Sequence, residues 1–137
     1  NAARLTMAEN TIKLLELYKA TYGEYPKLEA DRGYCVGTGY PNGKCRDSYN
    51  DGPTGYPETR TDLSNELKKV GTIPSGGYSM VVSTVGPYVT GLNSGNALSL
   101  SQVFDKSTMD KCPSMFTGTW IAPNDNRIIC SKSFYYN

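Results

Sequence analysis

Residues 2–26 read AARLTMAENTIKLLELYKATYGEYP, the one stretch of the chain with a long helical pattern and therefore the one that decides its fold class. At 100° per residue, Leu5, Ala8, Ile12, Leu15, Tyr18 and Tyr22 fall on one stripe, while Glu9, Lys13 and Glu16 lie opposite. Met7 and Leu14 widen the stripe, and Leu17 falls outside it. The pattern predicts a helix over 2–22. It stops at Gly23, which tolerates a left-handed cap, and at Pro26, which cannot continue the hydrogen-bond ladder. An apolar band this broad is wider than packing on one sheet requires, so part of it is expected to meet neighbouring molecules.

Downstream, residues 27–61 turn to Gly, Pro, Tyr, Asp and Asn with almost no aliphatic periodicity, which predicts a long loop. Cys35 and Cys45 are spaced to close a small ring inside it, and a ring of that size stabilises by about 2 to 3 kcal/mol in the chain-entropy model. Tyr34, Tyr40, Tyr49 and Tyr56 concentrate in the loop. Their rings either form a contact surface or supply the apolar filling that the loop otherwise lacks, and the second reading fits its shortage of aliphatic residues better.

Thr61-Asp62 reads as an N-cap for a short helix over 62–70, with Leu63, Leu67 and Val70 on one face and Gly71 and Pro74 as stops. Residues 78–85, rich in β-branched side chains, read as the strongest strand, and 88–92 prolong it or begin its partner. The segment 98–104 fits a strand or a helical turn. Residues 116–121 and 127–133 read as the strands of a hairpin reversed by Pro123-Asn-Asp-Asn126. Cys112 and Cys130 lie just before and within it.

Composition narrows the function. A chain of 137 residues suits one domain, and 38% apolar with 20% charged residues is a folding composition. Net charge is +1 with no basic cluster, so a nucleic-acid footprint is lacking. Four cysteines in a small Gly-, Pro- and Tyr-rich chain suggest two disulfides and an oxidising compartment; four cysteines allow three connectivities. Zinc is disfavoured because there is no histidine and no Cys-x2-Cys pair. The lack of histidine also removes Ser-His-Asp and Cys-His chemistry, so no catalytic residue is assigned and function is expected in surfaces. Asp47, Asp51 and Glu58, with Gly52, resemble a degenerate calcium loop, acids standing at its first, fifth and twelfth positions. Tyr49 and the prolines Pro53 and Pro57 fit that loop poorly, and a self-capping Asp/Asn turn is the simpler reading. No run approaches the ~20 apolar residues of a membrane span. The chain begins Asn1-Ala-Ala-Arg4 already in helical register, so an upstream segment is expected.

The series Ala3-Arg4 through Asn10-Thr11-Ile12, Leu15-Glu-Leu-Tyr18 and Tyr22-Gly-Glu-Tyr-Pro26 resembles the end of the long helix of type IV pilins and pseudopilins. Residues 35–45 look like the variable loop that follows that helix. Leu63–Leu67, Gly71 and Ile73-Pro74 look like the approach to the sheet, and Cys112 and Cys130 sit where many pilins carry a C-terminal disulfide-bounded region. The resemblance runs through the chain in order, and the Tyr-Gly-x-Tyr-Pro ending is its most specific element. The family's hydrophobic N-terminal half-helix is missing from these residues. The resemblance implies that such a segment precedes Asn1, anchors the subunit in the membrane before assembly and packs in the filament core afterwards.

The expectation is therefore one α+β domain, 1–137: a helix over 1–25, a disulfide-stapled loop over 27–61 lying beside it, a short helix over 62–70, and an antiparallel sheet of three or four strands within 78–137. Disulfides are expected as the nearest-neighbour pairs Cys35–Cys45 and Cys112–Cys130. The family likeness implies a non-enzymatic, cell-surface pilus subunit assembling with copies of itself and other pilins through Leu5, Ala8, Ile12, Leu15, Tyr18 and Tyr22. Adhesion to host-surface or extracellular ligands, motility or DNA uptake would follow. The alternatives are a minor pilin or type II secretion pseudopilin that binds calcium, and a secreted carbohydrate- or protein-binding module using the Tyr-rich loop.

Overall fold

The computed structural model describes residues 2–29, 33–38, 45, 62–74, 86–92 and 95–136. Helix α1 (Ala2–Tyr22) comes first, then β1 (Gly33–Cys35), α2 (Asp62–Leu67), β2 (Tyr88–Gly91), β3 (Ala97–Asp105), β4 (Gly118–Ile121) and β5 (Arg127–Tyr135). Among the described residues the strands form one sheet in the order β1-β2-β3-β5-β4, with every neighbouring pair antiparallel. The α+β class and both disulfides, Cys35–Cys45 and Cys112–Cys130, are as expected.

The sheet has five strands and not three or four. The addition is β1, which lies inside the segment read as loop. Three residues are too few to show alternation, and β1 is held from outside itself: it pairs with β2 on one side and meets α2 on the other. There the Ser64 hydroxyl donates to the Cys35 carbonyl (3.3 Å) and accepts from the Gly37 N–H (3.2 Å). The ambiguous segment 98–104 belongs to β3, which lies in the middle of the sheet. Leu98, Leu100, Gln102 and Phe104 alternate onto the α1 side and are all buried. The hairpin forms at the expected turn, Ala122 donating to the Arg127 carbonyl at 3.0 Å, although β5 runs on to Tyr135. The short second helix stops at Leu67, before the expected 70. The strand read over 78–85 lies outside the described residues.

Helix α1 ends as its sequence dictates. Gly23 takes a φ of 89° and its N–H reaches the Lys19 carbonyl at 2.8 Å. The helix runs antiparallel to β3: Arg4, near its start, interacts electrostatically with Asp105, while Tyr25, just beyond its end, packs edge-on against Phe134, the partner of Leu98. The chain then turns under a clasp. Tyr136 donates its hydroxyl proton to the Pro26 carbonyl (2.8 Å) and accepts from the Leu28 N–H (3.3 Å), with the Lys27 ammonium 4.1 Å above its ring. Gly91 lies so close to the Glu29 carbonyl that a Cβ there would collide with backbone, which accounts for a glycine as the last residue of β2.

Candidate functional site

The residues of α1 that fold inward are Arg4, Met7, Ala8, Thr11, Leu14 and Leu15. Their mean direction is about 50° round the helix from the stripe read in the sequence. The difference arises because Met7 and Leu14, at the border of the stripe, are buried while Leu5 and Ile12 lie at the margin; two polar residues sit at the centre of the inward face. Thr11 buries its hydroxyl by donating to the Met7 carbonyl at 2.8 Å, and Arg4 is buried with its charge near Asp105. Burial pulls the Arg4 pKa below its usual value, and Asp105 opposes that shift.

Rotation of the helix divides the six residues expected to serve assembly. Ala8 and Leu15 are wholly buried in the chain's own core. Leu5, Ile12 and Tyr18 are half-buried at its margin, and Tyr22 is 51% exposed. Leu17, which the periodicity placed off the stripe, is 47% exposed. The Tyr18 and Tyr22 ring centres lie 4.6 Å apart, so an apolar patch lies at the C-terminal end of α1, beside α2. Beside Ile12, a groove of about 380 Å³ has Met115 as its other apolar wall and Glu9, Glu16, Lys13 and Lys132 around it.

This surface is rigidly held. The Tyr18 hydroxyl donates to Glu66 on α2 at 2.7 Å, and Lys69 pairs with the same carboxylate at 2.8 Å. Those two bonds, Lys69 first, hold the Glu66 pKa below its ordinary value. Tyr25 donates to Glu16 at 3.0 Å. Burial first, and then the carboxylate partner, push Tyr18 and Tyr25 up to about 12, while burial raises Tyr136 as well. Folding therefore favours the protonated phenols. Their contribution is fully present below the unfolded value of about 10 and is lost as pH rises through the folded value. The urea midpoint is expected to hold up to about pH 10 and to fall between about 10 and 12, with Tyr18→Phe reducing that fall. Urea titrations of both proteins across this range check it.

Of the Tyr-rich loop, Tyr34 is buried in β1 within the main core, as the filling reading requires; Tyr40, Tyr49 and Tyr56 lie outside the described residues. So do Asp47, Asp51 and Glu58, the calcium candidates. Among the described residues no group of three or more His, Cys, Asp or Glu could hold a metal ion. No helix among them is long and apolar enough to cross a membrane. Two disulfides suit an oxidising compartment. The outermost strand β4 falls within the strand read over 116–121, but periodicity did not show that Trp120 and Ile121 are about half exposed on it, at 48% and 51%.

Compared with family models, with curated proteins and with solved structures, the chain matches none.

Proposed function

We propose that this chain is the globular part of a type IV filament subunit, assembling through the outer surface of α1 and an apolar helical segment upstream of it. One observation carries the reading. A 21-residue helix packs one side on the sheet and leaves Leu17 and Tyr22 exposed, with Leu5, Ile12 and Tyr18 half-exposed. Burying such a side chain fully contributes about 1.5–3 kcal/mol before ordering costs. A contact between unlike surfaces, repeated by a screw operation, does not close and so builds a fibre. The Cys112–Cys130 link and the Tyr-Gly-x-Tyr-Pro helix ending support the same reading. Adhesion, motility or DNA uptake would then be properties of the assembled fibre.

The test uses the full natural gene in its source cells. Filaments sheared from the surface should contain this chain with a retained run of roughly 20 apolar residues ahead of Asn1. Leu17→Glu with Tyr22→Glu should abolish them, while the unfolding free energy of the isolated domain, from urea titration, changes by no more than about 0.5 kcal/mol, as for other exposed positions. A mature chain without that apolar run, or filaments indifferent to the double substitution, would overturn the proposal.

A further inference from the structure

The two edges of the sheet are treated differently. At β1 the edge is closed by α2, whose Ser64 takes up both the Cys35 carbonyl and the Gly37 N–H. At β4 no element among the described residues covers the edge, and Thr119, Trp120 and Ile121 are all exposed. Natural sheets usually guard such an edge with lysine, proline or an inward charge. Gly118-Thr-Trp-Ile121 contains none of these, and its protection is its shortness and the features that flank it.

The hydrogen-bond parity of this edge is defined at both ends. Ala122 donates to Arg127, and Thr117 donates to Ser131, so the odd residues of β5 point at β4. With Trp120 opposite Ile129 and Gly118 opposite Ser131, the even residues of β4 face inward. The N–H and C=O groups of Thr119 and Ile121 face outward. The window is framed as well. Thr117 and Gly118 both face Ser131, which makes a bulge at one end, and Pro123 lies just past the other. A long foreign strand would run into both.

We infer that β4 pairs with β4 of a second copy of this chain, antiparallel about a two-fold axis through Trp120. In that register Thr119 of each copy faces Ile121 of the other, and all four outward donors find acceptors. The two Trp120 residues form the close, non-hydrogen-bonded pair on one face of a continuous ten-stranded sheet. No other centre uses both outward residues of both copies within the framed window. The contact is isologous and carries no charge on its strands. It is smaller than a standard stable interface, so association is weak. It lies on the sheet edge and does not depend on the filament reading, which concerns α1.

Sedimentation velocity over rising concentration, read beside the emission of Trp120, tests this directly, because it is the chain's single tryptophan. A monomer–dimer equilibrium is expected, with emission shifting to the blue in step with mass. Ile121→Pro deletes an outward donor in each copy without removing a β4–β5 bond, and should raise the dissociation constant at least about tenfold. Trp120→Lys sets two like charges across the axis and should abolish the dimer. It keeps the test decisive if the proline variant fails to fold. A monomer at every concentration up to about 1 mM, or a dimer that survives Trp120→Lys, would overturn the inference. So would a monomer that instead takes up an unrelated extended peptide at this edge, because the occupant would then be a foreign strand.

Discussion

Phe104→Ala is expected to destabilise the domain by about 3–5 kcal/mol, a large part of the 5–15 kcal/mol that a domain of this kind possesses. Phe104 is completely buried on β3, opposite Ile128, with its ring edge-on to Phe116 at 6.1 Å between centres. It belongs to the cluster that joins α1, through Ala8, Leu14 and Leu15, to the sheet. Truncation removes the apolar transfer energy and also leaves a space that a five-stranded ladder and a helix clamped at both ends cannot collapse to fill. Urea unfolding followed by circular dichroism should show a lower midpoint with an unchanged slope. Trp120→Ala, an aromatic truncation at an exposed position, should change stability by no more than about 0.5 kcal/mol in the monomer. If the two cost the same, the burial assigned to Phe104 is wrong.

The second large effect is expected at the Cys112–Cys130 link. Replacing both cysteines by alanine should cost about 3 kcal/mol, the chain-entropy value for a loop whose ends are 18 residues apart. Loop length alone makes this link only slightly stronger than Cys35–Cys45, at a separation of 10. Position adds to it. Cys130 is completely buried in the middle of β5, and the described segment between β3 and β4 contains no helix or strand. That segment supplies Phe116 and Met115 to the core, so its release should also loosen the packing around Phe104. Denaturant titration should report the loss, and faster amide exchange in residues 106–117 should locate it. Unchanged exchange there would mean that Phe116 alone holds the segment.

Local chemistry made some of this architecture readable before any coordinates. The end of α1 was legible because Gly23 and Pro26 act within one turn of the helix, and the β4–β5 reversal was legible because Pro123-Asn-Asp-Asn126 is turn chemistry in itself. The direction of α1 was not, because Met7 and Leu14 fold inward in place of Leu5 and Ile12, and the centre of that face is held by Arg4 and Thr11, which count as polar in any periodicity and are received there by Asp105 and the Met7 carbonyl. Strand β1 depends on β2, Ser64 and a disulfide for its existence, all distant in sequence. Strand β3 was ambiguous because buried Gln102 interrupts the apolar alternation; its amide donates to the Val103 carbonyl at 3.0 Å, a bond that periodicity does not register. Of the six residues read for assembly, Tyr22 is exposed, and Leu17, which is exposed as well, was not among them. The open edge at β4 was beyond reach, because strand order follows from β5 inserting between β3 and β4 and not from the composition of any one strand.

The clasp of Tyr136 on Pro26 and Leu28 has a mechanical meaning. Tension applied at the start of α1 would travel the length of the helix and enter the sheet through Tyr25, Phe134 and the end of β5, in line with the strands. The nine-residue β3–β5 ladder would then be loaded in shear, all of its rungs resisting together, where a pull across the strands would unzip them one at a time.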